Sequence, residues 1–102
     1  MPMEKRTPHC RLSRVKALAA AGMVRATKRA ASNAREMGVK DNAGLCAVVM
    51  GLTARDFYKS MTTHIDYRVW QDVYHARTVD GVAVYLKLTV IDDVLIVSFK
   101  EL

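Results

Sequence analysis

Two β-forming runs near the end of the chain constrain its fold more than any other feature: Val84-Tyr85-Leu86-Lys87-Leu88-Thr89-Val90 and Val94-Leu95-Ile96-Val97-Ser98-Phe99-Lys100. They are joined across Asp92-Asp93. A two-residue loop there makes Ile91 face Val94 and sets the pairing for every step outward. Leu86 then stands opposite Phe99, Leu88 opposite Val97 and Val90 opposite Leu95, an apolar face that has to be buried. The reverse face pairs Tyr85 with Lys100 and Lys87 with Ser98. Directly opposed side chains have Cβ atoms ~5 Å apart, so a phenol and two ammonium groups share one small polar surface. A four-residue loop keeps this parity, whereas a three-residue loop scrambles both faces. The segregation of Leu, Val and Phe from Tyr, Lys and Ser predicts the even loop.

A second hairpin precedes this one, with its first strand within Tyr67–Thr78. A two-residue Asp80-Gly81 loop puts Gln71, Val73 and His75 on the core side. A three-residue loop, Val79-Asp80-Gly81 with Gly81 in the left-handed conformation, shifts the parity by one. Gln71 and His75 then share a face with Tyr85 and Lys87, while Trp70 and Tyr74 join Leu86 and Leu88. The second register is preferred because it buries the one Trp and exposes the Gln, although it also turns Asp72 inward.

The first half of the chain has helical periodicity. Thr7-Pro8 is predicted to open a helix whose stripe is Leu12, Val15, Leu18 and Ala19, ending at Gly22. Thr27 is expected to cap a second helix over 28–37, with Ala30, Ala31, Ala34 and Met37 inward and Gly38 at its end. Asp41 or Asn42 begins a third, through Leu45, Val48 and Val49 to Gly51. Thr53-Ala54-Arg55-Asp56 has the form of a capping box, and predicts a short fourth helical segment carrying Phe57, Tyr58, Lys59 and Met61. Helices first and three meander strands afterwards predict an α+β fold with helices on one sheet face. Residues 1–102 are expected to form one domain, large enough for a core of its own.

Hydrophobic residues make up 51% of the chain, which excludes disorder, and its apolar runs are too short to span a membrane. No apolar segment follows Met1-Pro2-Met3-Glu4-Lys5-Arg6, so no signal peptide is expected and the cytoplasm is the expected location. Cys10 and Cys46 are then expected as free thiols. Neither has ligand-spaced partners, and no metal site or cofactor is predicted. The net charge of +6 is unevenly placed. Residues 1–40 hold ten Lys/Arg against two Asp/Glu, and residues 41–102 six against eight. Such a basic region suits a polyanion, most simply RNA or DNA. A solvated helix surface and a patch for an acidic protein partner are the alternatives.

A surface edged by Lys59, Gln71, Tyr85, Lys87 and Lys100 has the groups for phosphodiester cleavage. RNA carries its own nucleophile, the 2′-hydroxyl. A protein needs only to orient it, remove its proton, stabilise the charged phosphorane and protonate the departing 5′-oxygen. A Lys or Tyr crowded by other cations has its pKa lowered and becomes a better base. The plain alternative is an ordinary solvated sheet face. His9, His64 and His75 show no nucleophile–base pattern and are expected to be structural or exposed. Ser60 and Ser98 lack any triad context.

The segments Glu4-Lys5-Arg6-Thr7-Pro8-His9, Phe57-Tyr58-Lys59-Ser60-Met61-Thr62-Thr63, Trp70-Gln71-Asp72-Val73-Tyr74, Val84-Tyr85-Leu86-Lys87 and Asp93 to Glu101 closely resemble the MqsR (motility quorum-sensing regulator) toxin family. The resemblance runs from Glu4 to Glu101. It implies a RelE-like α+β fold and the toxin of a type II toxin–antitoxin pair, an mRNA endoribonuclease cutting at GCU-type sites and arresting growth. It further implies neutralisation by an MqsA-like antitoxin, a zinc-containing helix-turn-helix protein through which alone operator DNA would be met. The family's proposed catalytic residues fall on Lys59, Gln71, Tyr85 and Lys100. Lys87 and the basic helices, with Arg11, Arg14, Lys28 and Arg29, are expected to hold RNA. The chain departs from the family in a 75–82 segment one residue longer, in an extra Met1-Pro2 and in alanine-richer N-terminal helices. A non-enzymatic regulator that binds nucleic acid or a partner protein on the same fold is the competing expectation.

Overall fold

Short polar residues and glycines punctuate the first half of the chain much as expected, in the computed structural model, which describes residues 2–102. In chain order the elements are β1 (Glu4–Lys5), α1 (Leu12–Ala20), β2 (Val24–Ala26), α2 (Lys28–Glu36), α3 (Asn42–Met50), a 3-10 turn (Ala54–Asp56), β3 (Phe57–Thr62), β4 (Trp70–Arg77), β5 (Ala83–Val90) and β6 (Val94–Glu101). The Thr27 hydroxyl accepts from the Ala30 N–H at 3.2 Å, and the Asp41 carboxylate from the Gly44 N–H at 2.8 Å. Both satisfy amides that a helix start leaves unpaired. Gly22 and Gly38 end α1 and α2 at positive φ. Among the described residues no helix is long and apolar enough to cross a membrane.

The helices cover one face of a six-stranded sheet ordered β1-β3-β4-β5-β6-β2, so the α+β expectation holds. The core between the layers takes Val15 and Val49 from the helices and Tyr74, Leu86, Leu88, Val94, Ile96 and Phe99 from the sheet. Burying one such side chain fully contributes ~1.5–3 kcal/mol.

Four expectations need correction. The helix expected from Thr7-Pro8 begins only at Leu12. The residues before it cross to β4 instead, where the buried Asp72 carboxylate accepts the His9 and Cys10 N–H groups at 2.9 and 3.0 Å. This also explains why Asp72 turns inward. Next, the fourth helical segment is a single 3-10 turn. Thr53 and Asp56 do form the capping contact at 2.8 Å, but Phe57–Thr62 then runs as a strand between β1 and β4.

The Asp92-Asp93 loop is the third correction. The outer half of the hairpin pairs as expected, Tyr85 with Lys100, Leu86 with Phe99 and Lys87 with Ser98. A bulge then shifts the inner half, so that Leu88 meets Ile96 and Val90 meets Val94 across a three-residue loop. Val94 and Ile96 are buried in place of Leu95 and Val97. The cause is β2, which pairs in parallel with β6, Val24 to Val94 and Ala26 to Ile96. Arg25 reinforces that pairing through an ion pair with Asp93. The bulge lies just past the last contact of this neighbour, where the Thr27 N–H donates to the Ile96 carbonyl at 3.0 Å. Finally, Trp70 is half-buried rather than in the core. It stacks on His9 at 5.6 Å, with the Lys5 ammonium 4.3 Å from its ring centre.

The preceding hairpin has the preferred register. Ala83 pairs with Arg77 and Tyr85 with His75 across a three-residue turn, with Gly81 at φ +85.

Candidate active site

Strand pairing gathers Lys59, Gln71, His75, Tyr85, Lys87, Ser98 and Lys100 on the sheet face turned away from the helices. Along one row His75 faces Tyr85 and Tyr85 faces Lys100. The next row runs Lys59, Val73, Lys87, Ser98, and a third pairs Met61 with Gln71. The four residues expected to be catalytic therefore share this face, with Lys59, Tyr85 and Lys100 around Lys87 and with Gln71 one row beyond. The Lys100 ammonium is 5.0 Å from the Tyr85 ring centre.

A second bulge shapes the site. β3 slips by one residue against β4 between Phe57 and Lys59. Phe57 packs edge-on against Tyr74 in the core, while Tyr58 and Lys59 both turn to the polar face. Two neighbours on one face is what a β-bulge permits and regular alternation forbids. Tyr58 stacks on His75 at 4.5 Å, with the cations of Arg6 and Lys59 5.5 and 5.4 Å from its ring centre. The polar face thus holds an aromatic row, Tyr58–His75–Tyr85, bordered by cations. Sequence reasoning did not single out Tyr58, because nothing local marks the bulge. It put His75 on this face but gave it no role.

The lysines differ in their electrostatics. Lys59 donates to the Glu4 carboxylate at 2.6 Å. That hydrogen bond raises its pKa, partly opposed by burial, and Glu4 is lowered in return. Lys59 is therefore a firmly held cation. Lys87 moves the other way, because burial disfavours its charge and Lys100 and Lys59 repel it. Its folded pKa lies below the unfolded value, so its ammonium weakens the fold at neutral pH. That penalty is relieved as pH rises through the lowered folded pKa toward the ordinary lysine value.

The basic helix residues divide. Arg29, in the first turn of α2, lines a cleft with Asn33, Ser98 and Lys100, so it continues the polar face around the edge of β6. Lys28 is exposed beside it. Arg11 and Arg14 are exposed at the start of α1, in the layer across the sheet from Tyr85 and Lys87, and are not brought into the site. Among the described residues no three His, Cys, Asp or Glu side chains gather where they could hold a metal ion. Cys10 and Cys46 are free thiols whose pKa values burial raises.

A small α+β protein with clustered lysines and stacked aromatics on an open sheet face belongs to the class built to handle a polyanion. The family model described as motility quorum-sensing regulator, toxin of MqsA, matches residues 7–101. The mRNA interferase toxin MqsR of Escherichia coli (strain K12) is 63% identical over 99 residues, which cover 97% of this chain and 99% of that protein. The chain belongs to the motility quorum-sensing regulator toxin family.

Proposed function

We propose that the protein is an mRNA endoribonuclease, the toxin of a toxin–antitoxin pair, cleaving GCU-type sites without a metal and using the RNA 2′-hydroxyl as nucleophile. A half-buried Tyr85 facing an exposed Lys100, with Lys59 and Lys87 on the next row, is the observation that carries this reading. Lys87, whose charge the site disfavours, takes the 2′-hydroxyl proton. The 2′-oxygen attacks phosphorus, and Lys59 and Lys100 stabilise the phosphorane. The bond to the 5′-oxygen breaks as Tyr85 supplies its proton, leaving a 2′,3′-cyclic phosphate. Gln71 positions the nucleotide, and Arg29 guides the strand. The partner that silences the toxin is an MqsA-like antitoxin with a zinc site and a helix-turn-helix, through which operator DNA is reached, and the pair acts in the cytoplasm.

The test is to incubate the protein with GCU-containing RNA in EDTA and to analyse the product ends. Cyclic phosphate and 5′-hydroxyl ends are expected, with no cut when the nucleotide before the cleaved bond is 2′-deoxy. Cleavage of the deoxy substrate, or intact RNA throughout, would rule the mechanism out.

Glu4 holds Lys59 in the absence of RNA, so it competes with the incoming phosphate. Glu4→Gln should lower KM for RNA roughly threefold, within the range of an exposed ion pair, with kcat little changed. A raised KM would show that Glu4 orients Lys59 and does not compete for it.

A further inference from the structure

Beyond the row of Met61 and Gln71 the polar face opens into a cavity of about 510 Å³, lined by Met61, Thr63, Ile65 and Val69, with Gln71 and Lys87 at the side shared with the active site. Its volume falls in the ~300–1,000 Å³ range of small-ligand sites. The wall is the connection between β3 and β4. Thr63 Oγ1 donates to the Asp66 carbonyl at 2.7 Å and accepts the Asp66 N–H at 2.8 Å, and the Thr63 N–H donates to the Val69 carbonyl at 3.1 Å. On this tied loop Ile65 is fully exposed and Val69 is 38% exposed.

We infer that this pocket holds a nucleobase next to the scissile bond, gripped by Met61, Ile65 and Val69 and read at its edge by Gln71. Three observations favour a base over another occupant. The lining is apolar and includes a polarisable thioether, which suits the flat face of a heterocycle. The Gln71 amide offers both a donor and an acceptor, as the edge of a base requires. The pocket also adjoins cations. Met61 lies two residues along β3 from Lys59, about 7 Å, and Lys87 serves both places, so a base in the pocket leaves its phosphate among lysines. The inference rests on the endoribonuclease reading and adds to it the origin of sequence preference.

The experiment measures binding of a GCU-containing hexaribonucleotide blocked by a 2′-O-methyl group at the cut. Abasic versions lacking each flanking base in turn are compared, on the wild type and on Ile65→Ser/Val69→Ser. Both substituted side chains are exposed, so the fold should persist, which circular dichroism checks. Loss of one particular base should weaken wild-type binding ~30-fold, in the range of a well-held base, and the double variant should weaken the intact oligonucleotide similarly. The two losses should not add. Fully additive losses, or a variant that loses only antitoxin binding, would overturn the proposal, the latter marking a protein-docking surface. If losses do not add but the wild type cuts no RNA, the pocket stands and the nuclease reading falls. Cleavage with additive losses sinks the pocket alone. No binding at all sinks both.

Discussion

Lys100→Ala should lower kcat for RNA cleavage ~10²–10³-fold, the usual effect of removing one group that stabilises transition-state charge. Its Cα pairs with that of Tyr85, its ammonium sits 5.0 Å from the Tyr85 ring centre, and its side chain is exposed, so the loss falls on chemistry and not on folding. Melting temperature and circular dichroism should match the wild type. The pH profile gives a separate check. Lys87 is lowered first by burial and then by repulsion from Lys100 and Lys59. Removing Lys100 takes away one repulsion, so the Lys87 pKa rises part of the way back. The alkaline rise of the residual activity should move to higher pH. A kcat within about threefold of wild type, measured under single-turnover conditions, would remove Lys100 from any role in stabilising the phosphorane.

Asp72→Ala should destabilise the fold by about 3 kcal/mol, because it strands the His9 and Cys10 amides that the carboxylate now accepts. For a domain of this size the melting temperature should fall by roughly 15 °C. Asp72→Asn keeps one accepting oxygen and should lose about half as much. The same change should loosen residues 4–10, which carry Glu4, Lys5 and Arg6 onto β3 and Trp70. Calorimetry reads the stability, and hydrogen exchange of the His9 and Cys10 amides reads the loosening. Unchanged exchange at those amides would mean that the segment is held by its stacking on Trp70 instead.

What could be foreseen from the residues depended on how local its cause was. The caps at Thr27 and Asp41 and the turn at Gly81 each follow from a few adjacent residues, and they stood. The start of α1 failed because Asp72, 62 positions away from Cys10, claims the backbone before Leu12. β3 was missed for two reasons. Its capping box is real but supports only one turn, and the bulge at Tyr58 destroys the alternation that marks a strand. The inner half of the last hairpin failed because β2, three residues long, sets its parity from across the chain. The site shows the same pattern. Tyr85 with Lys100 followed from pairing, and Gln71 and His75 from the preferred hairpin register. Lys59 was named at the edge of that surface with no strand to place it there, since a helical segment would have taken it off the sheet, and its catalytic role came from the family resemblance. Glu4 and Tyr58 had no local signature.

The parallel contact of β2 with β6 joins positions 70 residues apart, Val24 to Val94, and the closure entropy of so long a segment must be met before the pair stabilises anything. High contact order of this kind slows folding. The acidic corner at Asp93 and the inward turn of Ile96 therefore close over a long stretch of chain, whereas Lys100 reaches the polar face through its own local pairing with Tyr85.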